Sequence, residues 1–355
     1  MKKALVAMSG GVDSSATAAC MLAAGYAVVG ATMQLHNERA GTCGSSTEIE
    51  DARGVADRLG IPFQVLDYTA DFTCEVMDRF VTAYEAGLTP NPCIECNRHM
   101  KFARLLEAAK AMGCDTVATG HYARVEYDEA AGRYRLKKAR NLAKDQTYVL
   151  YFLTQEQLAH IVFPLGDMES KEQVRQLAEG YGFANARKRD SQDICFVPDG
   201  DYAAFIRRHT GREYPPGDFV DSDGKVLGQH KGLIRYTIGQ RKGLGLSLPA
   251  PLYVCRKDME KNRVILTREE DLYASRLVAR NVNWIAGAAA PKPGETIRAA
   301  ARTRYSAKEA PASITVLEGG RMEVVFDTPQ RAITPGQAVV LYDGDEVLGG
   351  GTILE

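Results

Sequence analysis

The 355-residue sequence contains no run of about 18 apolar residues, the length that a helix needs to span the hydrocarbon core of a membrane. Two lysines precede apolar residues at the start, as in a secretory signal. That apolar stretch, however, runs only from Ala4 to Met8 before glycines and Asp13 interrupt it. We also find no internal repeat and no low-complexity segment. These absences predict a cytoplasmic, multidomain globular protein.

The chain lacks an excess of charge of one sign, since its net charge is −1. This balance neither indicates nor excludes a nucleic-acid partner, because a large enzyme can collect basic residues on one face. The sequence has eight cysteines. Without a secretory signal they do not indicate a disulfide framework, which leaves buried thiols, metal ligands and catalytic thiols as interpretations.

Strand patterns alternate with helix patterns in the first third of the chain, which predicts a doubly wound parallel sheet. The predicted strands are 3–8, 27–33, 63–67 and 115–119, and the predicted helices are 14–24, 45–59, 70–86 and 99–112. A hairpin over 123–127 and 133–138 and helices over 154–162, 170–181 and 201–209 follow. Short strands and turns then continue to the end, which predicts a β-rich segment and a β-barrel. We therefore predict an α/β domain over 1–205, a central β-rich domain over 206–275 and a C-terminal barrel over 276–355.

The segment SGGVDS, residues 9–14, lies between the first predicted strand and the first predicted helix. Its two glycines let the backbone approach a phosphate closely, and the amide groups at a helix N-terminus favour an anion. The segment has neither the Walker ending nor the Rossmann glycine spacing. A turn without a ligand, with Asp13 as a helix cap, is the alternative.

SGGVDS resembles the PP-loop of the ATP pyrophosphatase superfamily, which cleaves ATP to AMP and pyrophosphate. The resemblance implies ATP and Mg²⁺ as cofactors, with Asp13 assisting the metal ion. It implies nucleotide contacts along the loop at Ala7, Met8, Ser9, Gly10, Gly11, Val12, Asp13 and Ser14.

Six further motifs follow in order: NPCIECN (91–97), TGHYAR (119–124), KDQTYVL (144–150), SQDICF (191–196), RYTIGQRKGL (235–244) and ITPGQAVVLYDGD (333–345). We interpret the first as a polar loop between two helices. Together the motifs resemble those of the bacterial tRNA-specific 2-thiouridylases, and the resemblance covers essentially the whole chain. It implies that the enzyme activates the C2 oxygen of the wobble uridine, position 34, in Lys, Glu and Gln tRNAs and replaces it with sulfur.

The resemblance also assigns residues. Cys96 corresponds to the nucleophile and Cys195 to the persulfide carrier, and the two form a redox disulfide during sulfur transfer. Met33 and Gly120 correspond to nucleotide contacts. The tRNA contacts correspond to Asn91, Pro92, Cys93, His121, Lys144, Asp145, Gln146, Arg304, Tyr305 and Gln337. A cysteine desulfurase or a relay protein would deliver the sulfur.

Several alternatives remain open at this stage. Cys93, Cys96 and Cys195 could hold a [4Fe–4S] cluster, or with His99 a zinc ion. His121 could be a structural histidine. A run of basic residues over 133–144 could follow a phosphate backbone or form a solvated hairpin face. The remaining cysteines, at 20, 43, 74, 114 and 255, fit buried small side chains. Two other functions compete: a PP-loop ligase or amidotransferase acting on a small acid, and a non-catalytic RNA-binding or iron–sulfur carrier protein.

Overall fold

The structure is a computed structural model that describes residues 1–36, 45–188, 194–248 and 250–355. The prediction for Cys43 and the first three residues of the SQDICF motif, 191–193, lie outside the described residues. Within the described ranges, no helix combines the length and the apolar character needed to cross a bilayer.

The N-terminal region is built on a parallel sheet with strand order β3-β2-β1-β4-β7. Its strands and the hairpin inserted between β4 and β7 are β1 (Lys3–Ala7), β2 (Ala27–Gln34), β3 (Phe63–Asp67), β4 (Thr116–Ala118), β5 (Ala123–Asp128), β6 (Arg133–Lys138) and β7 (Ile161–Val162). This arrangement confirms the predicted parallel sheet.

Helices cover both faces of this sheet. They are α1 (Val12–Ala23), α2 (Ser46–Leu59), α3 (Thr69–Phe72, Thr73–Asp78 and Arg79–Glu85), α4 (Pro92–Glu95, Cys96–Arg104 and Leu105–Ala111), α5 (Gln155–Leu158), α6 (Lys171–Gly180) and α7 (Tyr202–Thr210). The middle segments of α3 and α4 are π-helical. Ala16 and Val174 belong to the core on one face, and Leu5 and Leu105 to the core on the other. Burial on both faces explains why β1 and β2 are mostly apolar.

Two local predictions were wrong. The predicted helix over 154–162 begins after a capping box formed by Thr154 and Gln157 but ends at Leu158. Ile161 and Val162 then pair with β4, where their branched side chains suit a strand. The predicted polar loop over 91–97 is instead the start of α4. The Asn91 side chain accepts a hydrogen bond from the Cys93 amide (3.1 Å), and Pro92 occupies the first helical position.

The central region forms a small sheet with order β10-β11-β8-β9. Its strands are β8 (Gly217–Val220), β9 (Val226–His230), β10 (Tyr253–Asp258) and β11 (Arg263–Thr267). Phe219, Val254 and Leu266 form its core. The β-rich character predicted for this part of the chain is therefore present.

The C-terminal region is a closed barrel of β12 to β17, as predicted. The strands are β12 (Tyr273–Trp284), β13 (Thr296–Arg302), β14 (Ala310–Leu317), β15 (Arg321–Arg331), β16 (Ala338–Asp343) and β17 (Glu346–Ile353). Their order is β12-β15-β14-β13-β16-β17, and pairing of β12 with β17 closes the ring. The hairpin β5–β6 joins the barrel sheet where Lys137 pairs with Glu346. The predicted α/β unit is thus fastened to the barrel by backbone pairing.

Gly166 shows how tightly this hairpin packs. A Cβ atom at this position would overlap the carbonyl oxygen of Ala123 in β5. We expect Gly166→Ala to lower the free energy of unfolding by about 2 kcal/mol or more, because the backbone cannot yield easily. Urea denaturation measures the change. Gly180→Ala is the control, since a Cβ there meets nothing within 4 Å and should shift stability by less than about 1 kcal/mol. Equal effects of the two substitutions would contradict this packing.

Lys257 in β10 carries a buried ammonium with no hydrogen-bond partner in the described residues; its Nζ atom lies 6.0 Å from the centroid of the Tyr84 ring. Burial lowers the pKa of Lys257 from 10.5 to about 8. The folded state therefore disfavours the charged form, and stability should rise as the pH increases from about 8 to 10.5. We expect Lys257→Met to be more stable than the parent at pH 7, by up to about 3 kcal/mol.

The advantage of Lys257→Met should disappear near pH 10.5, the upper end of the same window. Urea denaturation across that range measures it. Lys261→Met is the matched control, because Lys261 is exposed in the following turn. A stability difference between parent and Lys257→Met that does not change with pH would refute the assignment.

Candidate active site

The SGGVDS loop is shaped by its own hydroxyl groups. The Ser14 Oγ atom accepts a hydrogen bond from the Ser9 amide (3.1 Å) and donates one to the Gly11 carbonyl (2.9 Å). Gly10 has φ +72°, and a Cβ atom there would lie 2.5 Å from the Glu48 carbonyl oxygen. Glycine is therefore required at this turn both for its conformation and for space.

A cavity of about 300 Å³ opens beside the loop, where β1, β2 and β4 end. Ligands of open α/β sheets commonly bind at the carboxyl ends of the strands. The lining includes seven of the predicted nucleotide contacts: Ala7, Met8, Ser9, Asp13, Ser14, Met33 and Gly120. Gly10, Gly11 and Val12 shape the loop without being among the lining residues. His121 and Gln146, predicted as tRNA contacts, and Lys101, which we did not predict, also line the cavity.

The Asp13 carboxylate is held by two residues that the sequence did not single out. Lys171 Nζ lies 2.8 Å from both carboxylate oxygens, and the Tyr122 hydroxyl donates to Oδ1 (2.7 Å). Lys171 is the first residue of α6 and directly follows its N-cap residue, Ser170. The sequence feature that could have indicated its position is this helix-capping pattern. A magnesium ion at Asp13 would share the carboxylate with Lys171, because Mg²⁺ also binds carboxylates through oxygen.

His121 has the surroundings of a structural histidine. Its Nδ1 atom lies 2.7 Å from the Thr119 hydroxyl, and its ring packs between Phe102 and Phe163. Burial, and secondarily the charge of Lys101, hold the pKa of His121 well below 6.5. The imidazole is therefore neutral at physiological pH and presents no positive charge to the cavity.

The candidate thiols lie on and beside α4. Cys93 is exposed in the first turn, and Cys96 is half-buried one turn later. Cys96 and Cys195 pack against the same hydrophobic cluster, which includes Phe72 and Phe196. Residues separated by 99 positions in the chain thus share one environment.

The predicted metal alternatives do not fit this arrangement. Within the described ranges, no three histidine, cysteine or acidic side chains are grouped as a metal site. Cys93, Cys96 and Cys195 do not converge as cluster ligands. The His99 ring is instead 3.1 Å from the Glu95 carboxylate.

Asp145 and Gln146, in the KDQTYVL motif, make mainly contacts that stabilise the fold. The Asp145 carboxylate is buried and accepts hydrogen bonds from the Ala139 amide (3.1 Å) and the Thr147 hydroxyl (2.6 Å). Burial raises the pKa of Asp145, and these hydrogen bonds oppose the rise. The Gln146 side chain accepts from the Tyr122 amide (3.0 Å). The Asp145 side chain therefore holds its own segment in place, and the Gln146 side chain holds the backbone of Tyr122, whose hydroxyl contacts Asp13. Lys144 is half-buried beside them.

Barrel residues support the segment before α4. The Gln337 amide donates to the Thr89 carbonyl (2.7 Å), two residues before Asn91. Arg304 donates to the carbonyl oxygens of Ile238 and Ala332, so this guanidinium braces the central region against the barrel. Tyr305 is different, because 43% of its surface is exposed, and the Arg302 guanidinium lies over its ring, 5.5 Å from the centroid.

The basic run over 133–144 is largely neutralised by acidic residues. The pairs are Arg133 with Glu346, Arg135 with Asp128, Lys137 with Glu126, Lys138 with Glu309, and Arg140 with Asp167. Most of these acidic residues belong to the hairpin itself or to the barrel. The pairs with barrel residues could not be predicted from the local sequence, because those residues are distant in the chain. The structure favours the solvated hairpin face over a phosphate-binding stripe.

Comparison with known proteins agrees with the architecture. Family models match three consecutive parts of the chain: a "tRNA methyl transferase HUP domain" over residues 2–199, a "tRNA methyl transferase PRC-barrel domain" over 203–268 and an "Aminomethyltransferase beta-barrel domain" over 274–353.

Full-length relatives carry one shared name. The "tRNA-specific 2-thiouridylase MnmA" of Acetivibrio thermocellus is 52% identical over 99% of both chains. The proteins of that name from Clostridioides difficile (48% identical; 99% of this chain, 98% of the relative) and Carboxydothermus hydrogenoformans (51%; 99% and 97%) are similarly close. With identity far above chance along the whole length, and with the loop, the thiols and the barrel in place, this chain belongs to the MnmA family of tRNA-specific 2-thiouridylases.

Proposed function

We propose that this protein is a cytoplasmic ATP-dependent tRNA-uridine 2-sulfurtransferase. One observation carries the proposal: Met33 lines the nucleotide cavity and also packs against the cluster that contacts Cys96 and Cys195. A nucleotide in the cavity would therefore contact Met33, which packs on the same hydrophobic cluster as the two thiols. An enzyme that only adenylates a small acid has no use for two thiols on this cluster.

The first chemical step is activation of uracil. Its C2 oxygen attacks the α-phosphorus of ATP, the bond from that phosphorus to the bridging oxygen breaks, and pyrophosphate leaves with the electron pair. The backbone amides at the N-terminus of α1 stabilise the phosphate charge. When bound, Mg²⁺ would supply further charge neutralisation at the phosphates. Asp13 is the cavity carboxylate that would hold the ion.

The second step exchanges oxygen for sulfur. A persulfide on Cys195 supplies its terminal sulfur to C2, and AMP leaves with the former C2 oxygen. The Cys96 thiolate attacks Cys195 Sγ, which forms the Cys96–Cys195 disulfide and leaves the electron pair on the transferred sulfur. The attack by Cys96 can follow addition to C2, or it can precede it and release hydrosulfide. An external thiol then reduces the disulfide for another turnover.

The tRNA would approach the surface shared by α4 and the barrel. Tyr305 is exposed there, and its hydroxyl donates to the Asp145 carbonyl (3.3 Å), next to Lys144. The uridine must leave its stack to reach both ATP and sulfur. By family membership we assign position 34 of Lys, Glu and Gln tRNAs as substrate, contacted at Asn91, Pro92, Cys93, His121, Lys144 to Gln146, Arg304, Tyr305 and Gln337. A cysteine desulfurase or a relay protein is the proposed sulfur donor.

The direct experiment combines the protein with unmodified tRNA, MgATP and a persulfide-forming donor under anaerobic conditions. We expect ATP-dependent 2-thiouridine in digested tRNA, measured by mass spectrometry, with one pyrophosphate released per thiolation. Pyrophosphate without thiouridine would favour a different PP-loop ligase. A methylated nucleoside would contradict sulfur transfer. Binding of tRNA without either product would favour a non-catalytic RNA-binding protein.

A further inference from the structure

Lys101 lies on α4, five residues after Cys96, and its side chain lines the nucleotide cavity. It is half-buried. Within the described ranges its ammonium has no hydrogen-bond or ion-pair partner. The other positive group near the loop, Lys171, contacts Asp13 instead. Since an unpaired, partly buried charge lowers stability, the position of Lys101 calls for a function.

The charge of Lys101 acts on two sides of the site. Although Cys93 as a residue is exposed, the protein atoms around its thiol raise the pKa by desolvation, and Lys101 opposes that rise. On the cavity side, Lys101 adds to the effect of burial in lowering the pKa of His121. Lys101 therefore lines the same cavity as Gly120 and His121, and its charge also acts on the Cys93 thiol in the first turn of α4.

We propose that Lys101 binds the α-phosphate of the nucleotide, on the wall of the cavity nearest the thiols. This assignment rests on the proposed function, in which the nucleotide occupies this cavity. The SGGVDS loop and α1 form the wall where the leaving pyrophosphate would lie. Lys101 belongs to the helix that carries Cys93 and Cys96, and sulfur must arrive beside the α-phosphate. A cation there neutralises the oxygens that gain charge during adenylyl transfer and keeps AMP in place until sulfur has added.

The test compares the affinities of AMP and adenosine, which differ only by the phosphate. We expect Lys101→Met to weaken AMP binding about ten- to hundredfold, the contribution of a charge-assisted hydrogen bond. Adenosine binding should change less than about twofold. Lys101→Arg should retain most of the AMP affinity. Lys110→Met is the control, because Lys110 lies farther along α4 and lines a different cavity. Calorimetry measures all four proteins.

Thermal unfolding separates this role from a structural one. Removing an unpaired cation should leave the unfolding temperature of Lys101→Met equal to or above that of the parent. A folded Lys101→Met protein with parental AMP affinity, or one that loses AMP and adenosine equally, would overturn the proposal.

The two proposals can fail separately. If Lys101→Met binds AMP as tightly as the parent does, and the parent forms thiouridine, the assignment of Lys101 is wrong and the sulfur-transfer proposal stands. If Lys101→Met loses AMP but the parent forms no thiouridine, Lys101 stands and the reaction is wrong. If the parent binds neither AMP nor ATP, both fall.

Discussion

Replacing Cys96 with serine should reduce formation of 2-thiouridine by at least about 10³-fold, because no thiolate remains to attack sulfur. Cys195→Ser should have the same effect, because the persulfide cannot form. Pyrophosphate release should persist in both variants, since adenylation precedes the sulfur step. Single-turnover assays with unmodified tRNA measure both products. In the parent protein, peptide mapping after one turnover without reductant should show Cys96 joined to Cys195.

Cys74→Ser is the matched control for these substitutions. Cys74 is a free, exposed thiol on α3 and should leave thiouridine formation unchanged. Loss of activity in Cys96→Ser alone would remove Cys195 from the sulfur path. Retained activity in both variants would refute the thiol mechanism altogether. The outcome is informative about chemistry because both thiols lie at the edge of a cluster whose core is formed by other side chains.

Asp13→Asn should lower the rate of pyrophosphate release on the order of 10²-fold, a loss comparable to removing one preorganised electrostatic contact in an active site. The substitution removes the negative charge that faces both Lys171 and the nucleotide phosphates. Lys171→Met should impair the same step, because it leaves the Asp13 carboxylate without its ammonium partner. Varying MgATP in quench-flow assays separates a change in affinity from a change in the chemical rate.

Asp51→Asn provides the comparison for Asp13→Asn. Asp51 pairs with Lys188 at 2.9 Å on the surface, so this substitution also breaks a lysine–aspartate pair, but away from the cavity. We expect little change in pyrophosphate release. If Asp51→Asn and Asp13→Asn were equally active, the Asp13 pair would be structural, and the nucleotide phosphates would have to lie elsewhere.

The sequence predicted well those features that depend on neighbouring residues. The alternation of apolar strands and capped helices gave the parallel sheet. The strand–SGGVDS–helix order placed the loop correctly, because Gly10 and the start of α1 are determined by local backbone geometry. The same local logic failed at Asn91, where the cap and Pro92 begin a helix that we had taken for a loop. Capping signals within a polar segment were present there but were given too little weight.

The sequence by itself determined the domain types, the phosphate loop and the identity of the candidate thiols, because these features are written in short contiguous patterns. Only the tertiary structure decided which charged side chains are paired with another side chain and which remain available to a ligand. It paired Lys171 with Asp13 across 158 positions and Lys138 with Glu309 across 171. It also left Lys101 unpaired beside the cavity. The net charge of a site depends on which distant side chains come within a few ångströms, since electrostatic attraction falls with separation in space.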